Sequence, residues 1–269
     1  MSASARLDAI TAVTQERRPA RAVPLVAVGR VLIVLALLLF WQVASDRLAA
    51  QLWVSDPADI AVRLWRWTID GTLGLHLLAT IEAWGAGYVT GGLCGIAVGF
   101  LLGIARFADR VLSLFIAALY GLPKLALLPL FVIGFGIGLQ SKIALVATVI
   151  FFITLYSTRD GVRDVDPDLI ASLRIMGASR SEILSKLLLP ATLPWILTAM
   201  RISVSITLVT TVGGEVLSSN RGLGFLIASS SARFDTTGVF AAATVLVAIS
   251  AVVNALLTGR EAGASRWRG

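Results

Sequence analysis

Six mostly apolar stretches, separated by segments that carry most of the charge, constrain this chain more than any motif in it. They lie at about residues 30–44, 83–104, 111–135, 143–156, 192–212 and 239–257. A hydrocarbon core about 30 Å thick is crossed by a helix of roughly 20 apolar residues, so each stretch is a candidate span. Composition agrees. The chain is 57% hydrophobic and only 14% charged, whereas a soluble domain carries roughly 25% charged residues. There is too little charge to clothe a water-facing surface, which excludes a soluble enzyme, a DNA-binding domain and a disordered regulator. The net charge of +7 forms no dense basic stripe, so it does not point to nucleic acid. Cys94 and His76 are the only residues of their types. An intrachain disulfide and a cysteine metal cluster are therefore excluded, and a histidine metal site or a Ser-His hydrolase is disfavoured. Cys94 reads as packing. The expected fold is an all-α polytopic membrane protein with six transmembrane helices.

Lys and Arg placement sets the orientation, because cytoplasmic loops of membrane proteins are enriched in both. With both termini inside, 14 of the 23 basic residues fall in the N-terminal tail, the 105–110 loop, the 157–191 loop and the C-terminal tail. The expected organisation is a cytoplasmic tail over 1–22, a membrane domain over 23–258 and a second cytoplasmic tail over 259–269. The basic N-terminal region is long and Gln42-Val43-Ala44-Ser45 is a mediocre cleavage site, so the first span reads as uncleaved. Residues 57–70 read as an amphipathic helix at the outer interface. Pro57 suits its first turn, Ile60, Leu64 and Trp67 share one face, and Trp65 and Trp67 suit the headgroup level. No internal repeat is evident, which weakens a secondary transporter built from inverted repeats.

The inner loop 157–191 is too long for a turn and too patterned for disorder. Asp166 and Pro167 make a helix start, an acidic N-cap followed by proline. Gly177 allows a sharp turn. Ser179 then caps a second helix with Glu182 three residues on, as a capping box requires, and Pro190 is expected to end it. The result is a compact helix–turn–helix that leaves Ile183, Leu184 and Leu187 available to a partner or the membrane surface.

DLIASLRIMGASRSEILSKLLLP resembles the inner-loop signature of ABC importer permeases: E-A-A, three residues, Gly, nine residues, I-x-L-P. Gly177 and Pro190 stand thirteen apart as that pattern requires, while Ala171-Ser172-Leu173 replaces Glu-Ala-Ala and Leu187 replaces Ile. VDPDLI, LPATLPWI, NRGLGFLI, YGLPKLALLPLFVIGFGIG and GTLGLHLLATIEAWGAGY are similar to the nitrate, sulfonate and taurine branch of that family, with Glu82 where relatives often carry a basic residue. The resemblance covers about residues 50–258. It implies a type I importer permease in the bacterial inner membrane whose loop docks on a separate cytoplasmic ATPase through Asp166, Pro167, Gly177, Ala178, Ser179, Arg180, Glu182, Leu189 and Pro190. It also implies an extracytoplasmic substrate-binding protein and a second permease copy, as a homodimer. This chain contains no G-x-x-x-x-G-K-[ST] phosphate loop. It is thus expected to bind no cofactor and to be no enzyme, with ATP and Mg on the partner ATPase.

Inside the membrane, Pro123 and Pro129 interrupt the third span, and the carbonyls they free call for a neighbour or a cavity. Lys124 between them is costly at membrane depth, on the order of 3 kcal/mol, and should face the interior, an acid or an anionic substrate. Gly213 and Glu215, at the outer end of the fifth span, complete the candidate translocation pathway; Glu215 reads as a gate or a partner for a basic residue, and at least equally as an ordinary loop acid. The GFGIG cluster at 134–138 lacks a nucleotide fingerprint's strand context and reads as close packing or a loop. The resemblance implies a small anion such as sulfonate, taurine or nitrate, with a heterocyclic vitamin precursor as the alternative cargo. A stand-alone secondary transporter would need intramembrane acids, for which only Glu82, at a span end, is a candidate. A membrane-embedded enzyme would have to use His76, outside any span core.

Overall fold

A computed structural model describes residues 54–264, with side chains through 253, and parts of an earlier helix between residues 28 and 45. The chain divides into two units, 1–58 and 59–269. Of the first unit, an apolar helix over Leu32–Gln42 is described; the rest of the first candidate span and the 1–22 tail lie outside the described residues, as do residues 265–269.

The described remainder is helical. α1 (Pro57–Ile69) is followed by α2 (Thr72–Ile104), α3 (Arg106–Gly121), a 3₁₀ turn (Lys124–Leu127) and α4 (Leu128–Phe135). Then come α5 (Leu139–Arg163), α6 (Pro167–Ile175), α7 (Arg180–Leu217), α8 (Leu223–Ser231) and α9 (Thr236–Ala264). Among the described residues four helices are long and apolar enough to cross a bilayer, α2, α5, α7 and α9, and the broken pair α3–α4 makes a fifth. α2 begins eleven residues before the expected span, so Glu82 and His76 lie within a helix rather than at or beyond its end. α9 continues through Ala264, into the stretch read as the C-terminal tail.

The seam of the fold is α2 against α5. In lipid, helices associate through close packing rather than hydrophobic exclusion, and small residues permit it. Gly87, Gly91, Gly95, Gly99 and Gly103 recur every fourth residue on α2 and face Val146, Ala147, Phe151, Leu155 and Val162 in turn, so the two helices run in the same direction. A Cβ at Gly103 would lie 2.6 Å from Val162 Cβ, and one at Gly91 would run into the backbone of Ala147. Thr154 Oγ1 donates across the seam to the Gly92 carbonyl at 3.3 Å. α7 packs onto the same face, where Tyr88, Ile150, Val204 and Leu208 form a buried cluster. Tyr88 donates to the Met200 carbonyl, and Trp84 Nε1 donates to Thr207 Oγ1 at 2.9 Å.

Two prolines behave differently from expectation, and the third span is not one rod. Leu122 is extended ahead of Pro123, as the residue before a proline prefers, and the chain bends there by 88° between α3 and α4. Pro129 falls in the first turn of α4, where its missing N–H costs no helical bond. Pro190 does not end its helix. A π-helical segment, Ile183–Leu188, widens the turn just before it, and α7 continues through Pro190 and Pro194 for 38 residues in all.

α1 buries Ile60 and Trp67 on the expected face, while Trp65 is exposed. Arg63 lies 5.8 Å from the Trp67 ring centroid and forms a bidentate ion pair with Asp235, just before α9. Burial opposes ionisation of Asp235, but the bonds from Arg63 and the Gly238 N–H outweigh it and hold the carboxyl below its ordinary range. Cys94 is exposed, not packed. It lines a side cavity of about 440 Å³ with Thr90, Leu119, Leu122, Phe151 and Phe152. An apolar residue can face outward from a bundle whose solvent is lipid.

Candidate functional site

Chemistry-bearing residues collect at the two ends of the bundle. At the end where α5 finishes, Asp166 accepts from the Asp168 N–H at 2.8 Å and Pro167 opens α6. α6 closes in a Schellman motif: the Ala178 N–H bonds the Leu173 carbonyl at 2.9 Å and the Gly177 N–H bonds Arg174 at 3.0 Å. That motif requires the left-handed backbone that Gly177 adopts, with φ +84°. Ser179 and Glu182 then complete the capping box, with the Ser179 N–H 3.0 Å from Glu182 Oε2 and the Glu182 N–H 3.3 Å from Ser179 Oγ. Lys186 bonds the other Glu182 oxygen at 2.9 Å. Hydrogen bonds from Lys186 and Ser179 hold the exposed Glu182 carboxyl down at about 2.

The helix pair presents an apolar tip that agrees with expectation at Leu184 and differs at Ile183 and Leu187. Ile183 is buried and Leu187 half-buried, whereas Ile175 and Met176, beside the Gly177 turn, are 87% and 80% exposed. Leu184 and Leu189 are also exposed, and Ala178 is half-buried next to the exposed Arg180. At the same end of α5, Asp109 on α3 is buried and lies 2.7 Å from Arg163 and 3.5 Å from Arg159. Arg159 in turn lies 4.7 Å from the Tyr156 ring centroid. The ion pairs tie the start of the broken span to the end of α5.

At the other end Glu215, near the close of α7, is 0% exposed. Its carboxylate accepts from Thr80 Oγ1 of α2 at 2.9 and 3.0 Å and from the Gly224 N–H at 2.9 Å. Thr80 Oγ1 also accepts from the Leu223 N–H at 2.8 Å, and His76 Nδ1 accepts from the Gly222 N–H at 3.0 Å. The His76 ring stacks on Phe225, 5.6 Å between centroids. Lys142 of α5, also buried, donates to Ser219 Oγ at 2.6 Å and to the Arg221 carbonyl at 3.2 Å. Gly222 has φ +119°, and a Cβ there would fall on the Glu215 carboxylate. The NRGLG segment is therefore the backbone half of a polar hub, and Glu215 is no ordinary loop acid.

The remaining pathway candidates sit apart from that hub. Lys124, at the start of the 3₁₀ turn, donates to the Tyr120 carbonyl at the end of α3 and lies over the Tyr120 and Phe152 rings, 4.5 and 5.3 Å from their centroids. Pro123 is at the break and Pro129 one turn later, both exposed. Gly213 meets that turn through Leu125, whose Cδ2 would lie 3.1 Å from an added Cβ. Glu82 is exposed. Among the described residues no group of three or more His, Cys, Asp or Glu could hold a metal ion.

Sequence reasoning missed Lys142, Thr80 and Asp109. Thr80 is 135 residues from Glu215 and carries no local signal. Lys142 did offer one, a charge at the mouth of an apolar stretch. The glycine ladder of α2 was likewise legible as a small-residue period of four.

Comparison with known proteins agrees with this architecture. Residues 91–261 match the family described as binding-protein-dependent transport system inner membrane component. The taurine transport system permease protein TauC of Escherichia coli (strain K12) is 32% identical over 238 residues, covering 87% of this chain and 86% of its own length. The formylaminopyrimidine transport permease protein ThiX of Halalkalibacterium halodurans is 29% identical over 238 residues, covering 84% of this chain and 94% of its own. Among solved structures, the inward-facing MetNI methionine ABC transporter superposes with a TM-score of 0.59 at 20% identity, over 70% of this chain and 95% of that one. That last likeness concerns the fold alone.

Proposed function

The chain belongs to the binding-protein-dependent transport system inner membrane component family, and from that premise we propose that it forms the translocation pathway for a small organic or inorganic anion. Sulfonates, taurine and nitrate are the cargo class. The likeness to TauC supports this reading. The likeness to ThiX supports a second cargo, a heterocyclic vitamin precursor, on the same machinery. The end bearing Arg163 and the α6–α7 pair is the cytoplasmic face, both termini are cytoplasmic, and the end bearing Glu215 faces the binding protein. Two copies pair as a homodimer. ATP and Mg are bound by the ATPase and not by this chain.

The observation that carries the reading is the capped helix pair with its exposed Ile175–Met176 tip. Its caps fix the geometry of an exposed lever, and an apolar tip suits a groove on another protein. α7 runs from that capping box to Glu215, about 54 Å at 1.5 Å per residue, so force on the loop reaches the far end along one helix. Pro123, Lys124, Pro129 and Gly213 lie along the broken span and its contact with α7, and line the path.

Two experiments test this. The chain should co-purify with its ATPase, and uptake into proteoliposomes should require ATP; uptake without either sinks the proposal. Gly177→Asp should insert normally yet lose the ATPase or its stimulation, because the turn has no side chain to spare at positive φ. Normal stimulated hydrolysis in that variant removes the coupling assignment. Titrating the binding protein with taurine, an alkyl sulfonate, nitrate and a pyrimidine decides the cargo.

A further inference from the structure

The segment 218–222 joins α7 to α8 and, with the first residues of α8, is gripped by four side chains on three helices. His76 and Thr80 of α2 take the Gly222 and Leu223 N–H groups, Glu215 of α7 takes the Gly224 N–H, and Lys142 of α5 donates to Ser219 and to the Arg221 carbonyl. Those three consecutive backbone donors belong to the first turn of α8, where no intrahelical acceptor exists. Each finds a side chain instead.

We propose that Glu215 is a positioning residue of the external gate: together with Thr80, His76 and Lys142 it latches the 218–224 segment against the bundle, and transport requires its release. This rests on the permease reading above and goes beyond it, since it removes Glu215 from the set of substrate contacts and gives it a fastening role.

The hub has the chemistry of a latch rather than a permanent brace. Glu215 is bonded only by neutral donors, a hydroxyl and a backbone N–H, and among the described residues it makes no ion pair within 4.0 Å. Lys142 donates instead to Ser219 and to the Arg221 carbonyl. Two buried ionisable groups are thus satisfied through the segment and Thr80 rather than by each other. A buried polar group left without a partner is unfavourable, so the segment stays down until something else satisfies both. Gly222 and Gly224 are what let the backbone approach this closely: a Cβ on Gly222 would fall on the carboxylate, and one on Gly224 would lie 2.7 Å from Glu215 Cβ.

Hydrogen exchange on the whole chain in lipid nanodiscs reads the latch directly, without any partner. Thr80→Val, which keeps the shape and removes the hydroxyl, should speed exchange across 218–226 at least tenfold while 87–103 stays as slow as in the unmodified protein. Thr80→Ser should restore the slow rate, and Glu215→Gln should behave as Thr80→Val does. Unchanged exchange in both Thr80→Val and Glu215→Gln overturns the proposal, and so does equal loosening of 87–103, which marks a general structural role. If Glu215→Gln fails to insert, the Thr80→Val and Thr80→Ser pair alone decides. Loss of the permease reading would show separately, as absent ATP-dependent uptake in the unmodified protein, and leaves the exchange result to stand or fall by itself.

Discussion

At one end of α7 the exposed Ser179 and the half-buried Glu182 cap the helix, and Ile175 and Met176 stand almost bare beside them. At the other end Glu215 is fully enclosed by Thr80, Gly224 and the glycines of the following turn. Both ends contain a buried acid, and the two acids are partnered differently. Asp109 lies 2.7 Å from Arg163 and 3.5 Å from Arg159, ion pairs that tie α3 to α5 while its Oδ1 makes no hydrogen bond. Glu215 takes neutral donors and leaves the nearby Lys142 committed elsewhere. The contrast teaches that similar burial serves different ends. On the proposed reading, the Arg163 end stays rigid near a tip that docks on the ATPase, and the Glu215 end lets a segment leave.

The largest effect should come from Gly222→Ala. Its Cβ meets the Glu215 carboxylate and its φ of +119° disfavours any side chain. Backbone strain of this kind costs on the order of 1–3 kcal/mol, and displacement of the carboxylate adds to it. A thermal melt should show a large drop, with accelerated exchange confined to the hub; a melt like that of the unmodified protein would break the contrast between the two ends.

Asp109→Ala comes next. It takes the acid from Arg163, while Arg159 keeps Asp160 at 2.9 Å, and removing one partner of a buried ion pair costs about 3–5 kcal/mol. About 2 kcal/mol is expected here, because the Arg163 side chain is 35% exposed and water screens it. The melt should fall while exchange across 218–226 stays slow. Ser179→Ala is smaller, about 1 kcal/mol for a lost N-cap. Its signature is weaker ATPase binding at unchanged hub exchange, and a change at the hub instead would show that the caps do not act locally.

The smallest effect concerns pH. Asp235 has a carboxyl held below its ordinary range, so its pairing with Arg63 stabilises the fold fully above the unfolded carboxylate value, about 3.9. That contribution is lost as pH falls through the lower folded value. Lowering the pH from 7 to 3 should therefore reduce the melting temperature of the unmodified protein by more than that of Arg63→Gln. Equal reductions would mean that the ion pair contributes nothing.

These contrasts were unevenly legible in the sequence. Asp166, Pro167, Gly177, Ser179 and Glu182 were readable because capping and turn chemistry is local, set within four residues. The apolar spans were readable for the same reason, since lipid imposes length and composition residue by residue. The hub was not, because all its bonds but the one between Gly224 and Glu215 reach across 77 to 146 positions. Pro190 misled because its local rule is to stop a helix, and the preceding π segment overrides that rule. The 88° break at Pro123 was foreseen as a kink, but its size depends on where α4 packs.

The central claim is that the docking tip and the Glu215 hub are two ends of one lever. Hydrogen exchange at Gly222, Leu223 and Gly224, followed in the permease–ATPase complex with and without bound ATP, tests it most directly. The rate should change at least severalfold between the two states, and Gly177→Asp should abolish the change. Equal rates in both states, or a change that survives Gly177→Asp, would contradict the account.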